Sequence, residues 1–256
     1  MLFPKPGPIL PLAIIQKVRK PMKKVYVAIL ALLFSAPGLF AQSDNTVRLG
    51  IKLAPNLAWV RSDTKGLESD GTLIGYSFGL MAEFPFGTNG NYRFATGLFL
   101  NNIGGKTAYS YSIADTTGKT DFLNTSTVKL RYLELPVTIK MMTNEIGYMR
   151  YYGQLGLDLG VNIRAKSDAE VVTTSGGATR PTTEDDIDIK ENVNAFKAGL
   201  VIGGGLEFNF SGSTSAVAGV TYHSGFTNLY KKDSFAGLDK SKTYADYIEL
   251  TLGVYF

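Results

Sequence analysis

Cysteine is absent from this chain, which excludes disulfides and any thiolate-based metal or redox site. A single histidine, His223, leaves no histidine cluster for a metal. Beyond the N-terminal region no run of about 20 apolar residues occurs, the length a helix needs to cross a bilayer. Amphipathic helical periodicity is missing there too. A basic excess is also missing once the N-terminus is set aside. Six of the 26 Lys and Arg lie in residues 1–41, which hold no acid, so the remaining 20 stand against 22 Asp and Glu, a net charge of −2. A nucleic-acid partner loses its electrostatic support.

What the chain does have is glycine and aromatics: 28 Gly, 14 Tyr and 15 Phe. That composition fits strands with tight turns and aromatic girdles. Met22-Lys23-Lys24 opens a basic segment, Val25–Phe34 is apolar, and Ala36-Pro37-Gly38 breaks any helix. This is the pattern of a secretory signal peptide, with cleavage predicted after Ala41. Residues 1–41 are therefore read as a leader with the signal peptide at 22–41, and residues 42–256 as one domain.

Within that domain the clearest signal is Leu130–Met142, LRYLELPVTIKMM. From Leu133 onward, Leu133, Leu135, Val137, Ile139 and Met141 share one face, and Glu134, Pro136, Thr138 and Lys140 the other. A period of two is a strand signal. Seven further stretches alternate in the same way: Val47–Trp59, Thr72–Phe86, Tyr92–Ile103, Tyr148–Arg164, Asn194–Phe210, Ser215–Tyr230 and Tyr244–Phe256. With Ser126–Met142 they make eight strands. Phe99 falls awkwardly on a polar face. Upstream of Leu133, the parity of Val128, Leu130 and Tyr132 suggests a bulge near Arg131–Tyr132, and Pro136 suggests another.

The connections alternate in length. Arg61–Gly71, Gly104–Thr125, Ala165–Val193 and Lys231–Thr243 are long and polar, whereas Gly87–Asn91, Thr143–Gly147 and Ser211–Thr214 are short. Aromatics flank the short turns: Phe84, Phe86, Tyr92, Phe94, Tyr148, Tyr151, Phe208, Phe210 and Phe256. A soluble barrel would place the apolar face inside. The leader, the loop alternation and the girdles favour instead an all-β fold, an eight-stranded antiparallel transmembrane β-barrel running up and down in the outer membrane, with apolar residues outward.

The block YLELPVTIK resembles the "YLE-I/L-P-hydrophobic" strand of the PorT-like outer-membrane β-barrel family of Bacteroidota. LGIKLAPNLAWV near the start, GVTYHSGFTNLY late in the chain and IELTLGVYF with its terminal Phe256 agree with it. The resemblance implies the barrel fold and the outer membrane as location. The founding member is associated with type IX secretion, so an accessory part in such a machine is a second expectation.

The predicted lumen carries Lys52, Arg93, Lys140, Arg150 and Lys197 against Glu83, Glu134, Asp158, Glu207 and Glu249. Eight strands enclose a space that side chains fill, so paired charges are expected rather than a channel. His223, followed by Ser224, is placed inward toward the extracellular rim, where a lipid-modifying enzyme would hold such groups, but no second motif accompanies it. The acidic run Glu184-Asp185-Asp186-Ile187-Asp188-Ile189-Lys190-Glu191 lacks the glycine of an EF-hand loop. The expectation is a non-enzyme with no catalytic, cofactor-binding or metal residue, acting structurally or by binding through its loops. It would be monomeric, surrounded by outer-membrane lipid, inserted by the barrel-assembly machinery, and engaged with an extracellular or secretion-machine partner.

Overall fold

A computed structural model describes residues 47–63, 67–87, 90–115, 118–175, 178–211, 214–231 and 242–256. These belong to one compact unit, Asn45–Phe256. The leader and its cleavage site fall outside the described residues, as does most of the connection Lys231–Thr243.

Nine strands are present among the described residues: β1 (Arg48–Ser62), β2 (Leu67–Phe86), β3 (Tyr92–Asp115), β4 (Gly118–Met142), β5 (Met149–Ser175), β6 (Ala178–Asp188), β7 (Phe196–Ser211), β8 (Thr214–Gly225) and β9 (Thr243–Tyr255). Each pairs antiparallel with its neighbours, β5 pairs with β7, and β9 returns to β1. Eight strands thus close into a ring, and the amide of Phe256 adds a last bond to the Leu49 carbonyl at 2.8 Å. Closure leaves the ring without an edge, which a lipid-embedded sheet requires. The ninth strand, β6, was not foreseen. It stands outside the ring and pairs with the far half of β5.

The alternation read from the sequence holds. Ile51, Leu80, Leu98, Ile139, Leu157, Leu200, Val220 and Leu250 point out and are exposed, while Asn56, Glu83, Asn101, Glu134, Asp158, Lys197 and Glu249 are buried inside. The aromatics flanking the short turns meet in tilted pairs, Phe84 with Phe94 at 6.2 Å and Tyr148 with Phe208 at 6.3 Å between ring centres. At the opposite end Trp59 stacks on Tyr222 at 6.2 Å. In the short turns Gly87, Gly90 and Gly147 have φ of 81°, 62° and 66°, which a side chain would strain.

Three expectations need correction. First, Pro136 sits at no bulge: it pairs with Asp158 in unbroken β4–β5 register. Its missing N–H is absorbed on the other side, where Gly97 and Leu98 drop out of the β3–β4 ladder without a shift, and Thr96 Oγ1 donates to the Pro136 carbonyl at 2.7 Å. Pro55 of β1 is handled the same way against β9.

Second, β4 keeps one phase throughout. Val128, Leu130, Tyr132, Glu134, Thr138 and Lys140 are all buried. What changes near Arg131 is the surroundings: the outward face turns polar and the inward face turns apolar. The register shift expected there exists, but the extra residue is Ile163 on β5, since Arg131 pairs with Arg164 and Tyr132 with Asn162. Ile163 and Arg164 are both exposed, and Ala165 is buried.

Third, most of the long connections are strand. β3 and β4 stay paired from Gly104/Lys129 out to Asp115/Gly118, and β4 and β5 out to Thr120/Ser175. With β6, and with the distal end of β2 paired to β3 out to Leu67/Tyr109, they form a sheet that projects beyond the ring. Serine, threonine and aspartate gave these segments the composition of loops, yet each strand finds its donors and acceptors in the next.

Candidate functional site

The lumen is a stack of ion pairs closed by an apolar cap. Nearest the short turns, Lys140 Nζ lies 2.6 Å from Glu83 and 2.5 Å from Glu207. Arg93 reaches Glu83 at 2.7 Å and Arg48 reaches Glu207 at 2.8 Å. The Lys140 ammonium also sits 4.0 Å above the Tyr152 ring. Gly219 and Gly205 make room for Tyr152: a Cβ at either would come 2.2 or 2.7 Å from the phenol oxygen. In the middle, Lys52 pairs with Glu249 at 2.6 Å and lies 4.1 Å over the Phe99 ring. Phe99 thus belongs inside, as the aromatic partner of a cation.

Farther from the turns, Lys197 bridges Glu134 at 2.5 Å and Asp158 at 3.1 Å. Asn101 and Tyr247 donate to Glu134 at 2.9 and 3.0 Å. His223 Nδ1 is 3.3 Å from Asp158 Oδ2, and its ring stacks on Tyr247 at 4.1 Å. Beyond this layer Val60, Ile103, Val128, Leu130, Tyr132, Ala165, Val193, Leu229, Tyr230 and Ala245 form one buried cluster. That cluster seals the distal mouth of the barrel.

Of the ten predicted lumen charges, nine lie in this network. The exception is Arg150, which pairs with Glu145 at 3.0 Å at the turn end and is partly exposed. Arg48, which shares the inward parity of Lys52, joins the network although it is not among those ten, and Met81, Tyr152, Val201, Val217 and Tyr255, also at inward parity positions, fill the remaining space. Their parity was the available signal. His223 is not at the rim: it is buried beneath the apolar cap, while Ser224 takes the opposite face of β8. The two side chains do not form a nucleophile and base. A lumen cavity of about 70 Å³, lined by Lys52, Met81, Phe99, Val217, His223 and Glu249 among others, mixes charged and apolar walls and is large enough only for water-sized occupants.

The projecting sheet carries a second charged group. Lys129 pairs with Asp168, and Lys166 with Asp186. The Asp186 amide, at φ 62°, donates to Asp168 Oδ1 at 2.9 Å. This brace fastens the root of the β5–β6 hairpin. The Lys129 ammonium and the Asp186 amide hold the Asp168 carboxyl below its ordinary pKa, and Asp168 raises that of Lys129. Two carboxylates of the acidic neighbourhood are therefore spent on lysines. Among the described residues no group of three or more His, Asp or Glu is placed to hold a metal.

Residues 40–231 match a family profile described as "Outer membrane protein beta-barrel domain". No curated protein matches. Among solved structures, Neisserial surface protein A is 16% identical, with 81% of this chain and 95% of that one covered at a TM-score of 0.37. Ail, the attachment invasion locus protein of Yersinia pestis, is also 16% identical, with 82% and 98% covered at 0.32. OprG of Pseudomonas aeruginosa is 10% identical, with 82% and 93% covered at 0.40.

Proposed function

This chain belongs to the outer-membrane β-barrel domain family, and on that premise we propose that it is a closed barrel whose work is done by the sheet it holds outside the membrane. It is a small outer-membrane protein. The observation that supports a binding role is the continuation of β3, β4 and β5 past the sealed mouth, joined by β6. Inside the membrane one face is committed to lipid and the other to buried ion pairs. The projecting strands are the large surface left, and binding sites usually lie on such segments of a rigid scaffold.

Against a pore stands the packed lumen, and against an enzyme stands the separation of His223 from Ser224. The outer edge of β6 is itself guarded by Pro181, Glu184, Asp185 and the irregular Asp186, devices that discourage strand addition. Recognition through the faces of the sheet is therefore the reading favoured over recognition through its edge.

A PorT-like placement, with an accessory part in type IX-like secretion, is the second reading. It rests on the YLELP block and on the turn side, where Asn91 Nδ2 donates to Asn144 Oδ1 at 2.9 Å and ties two turns together. Asn89, in the same turn, falls outside the described residues. The experiment replaces 169–184 by a Gly-Ser turn, which keeps the brace, and separately replaces Asn91 and Asn144 by alanine. Cells are scored for adhesion to immobilised proteins and polysaccharides and for export of secreted proteins. Adhesion lost only with the hairpin supports the binding role; export lost only in the turn variant supports the second reading.

A further inference from the structure

On the outward faces of β4 and β5 the side chains are apolar, Met141, Ile139, Val137, Leu135 and Leu133 on one strand, Tyr151 and, past Gly153, Leu155, Leu157, Leu159, Val161 and Ile163 on the other. The next outward positions are all cationic. Arg131 is the ladder partner of Arg164, and Lys129 that of Lys166. Like charges directly opposite each other on adjacent strands are destabilising. For the lysine pair the offset is visible in the ion pairs to Asp168 and Asp186.

For the arginine pair no such offset exists: among the described residues neither guanidinium makes an ion pair. Arg131 Nε donates to Asn102 Oδ1 at 2.7 Å, which fixes the plane of the group and leaves its terminal nitrogens unengaged. A third cation is close by, since Lys190 Nζ donates to the Ile163 carbonyl at 3.2 Å. The nearby acid Asp188 accepts the Lys190 amide at 2.9 Å. The β5 bulge makes this arrangement, because it turns Ile163 and Arg164 to the same side, one into the hydrocarbon and one just beyond it.

We infer that Arg131, Arg164 and Lys190 form a site for the phosphate of an outer-leaflet lipid headgroup. The height is that of the headgroups, immediately past the apolar band. The chemistry fits, since guanidinium groups grip phosphate through paired N–H donors in a way ammonium groups do not. An anion there would relieve the repulsion between the two arginines. The inference rests on the outer-membrane assignment and is independent of what the projecting sheet binds.

The test uses the protein in nanodiscs of phosphatidylcholine containing a minor share of phosphatidic acid, with native mass spectrometry to count retained lipids. Phosphatidic acid is expected to be enriched over phosphatidylcholine, by about tenfold. The Arg131→Gln/Arg164→Gln variant should lose that enrichment. Arg61→Gln, on β1 beside Asp246 at 3.5 Å, should keep it. Should the double variant not assemble, Arg164→Gln alone, an exposed position, should still lower the enrichment. Equal enrichment in the arginine variants, or equal loss in Arg61→Gln, overturns the site. Displacement of the lipid by inorganic phosphate overturns the lipid as its source and leaves a free-anion site.

Discussion

Lys197 and Glu134 meet at 2.5 Å although β5 stands between their strands in the ring. Lys197 also holds Asp158 at 3.1 Å, and all three are buried. Removing one member of such a group strands the rest. Lys197→Met should destabilise the barrel by roughly 3–5 kcal/mol. Lys197→Met/Glu134→Gln should recover part of that loss, because one of the two carboxylates is no longer charged. Urea unfolding in lipid vesicles measures both; a single variant as stable as wild type would show that the group contributes no net stability.

The outward assignment makes a depth-dependent prediction. Leu250 lies on the lipid face and its neighbour Thr251 in the lumen. Leu250→Arg should cost roughly 2–4 kcal/mol, the penalty for arginine near the bilayer midplane, and the same change at Leu49, near the turn end, much less. Vesicle unfolding would show the gradient. Equal small costs at both positions would contradict the placement of Leu250 at mid-depth on the lipid face.

Much of this was legible in the sequence. From Leu133 to Met141 the alternation gave both faces, and the lumen charges followed from parity alone. The distal part of β4 was misread because Val128, Leu130 and Tyr132 invert the pattern. Hydropathy reports the solvent that a residue meets, and beyond Arg131 that solvent is water outside and packed protein inside. The bulge at Ile163 was misplaced for a related reason: Ile163-Arg164 reads as ordinary alternation at a bilayer surface. Partners such as Lys197 with Glu134 depend on which strands face each other across the ring, and no local pattern carries that. β6 was hidden because its threonines and acids have the composition of a loop, and only its pairing to β5 makes it a strand.

The brace at the root of the hairpin should have an acid limit. Asp168 has a lowered pKa, so its contribution is complete above the ordinary carboxylate value of about 4 and is lost as pH falls through the lowered one. Lys129 has a raised pKa, so its contribution is complete below about 10.4 and is lost as pH rises through the raised value. Protection of the Asp186 amide, after correction for intrinsic exchange, should therefore be flat from about pH 5 to 9 and fall below about 4. A fall centred near pH 6.5, where histidine titrates, would assign the brace to another group.

The account turns on the lumen being closed by its ion pairs and by the cap of Val60, Val128, Leu130, Tyr132 and Tyr230. Conductance of the purified protein in a planar bilayer tests this most directly. The expected record is a baseline without steady unit steps across the range of voltages that the bilayer withstands. Uniform, long-lived steps that scale with salt concentration would show a continuous aqueous path, and would move the function from the projecting sheet to the lumen.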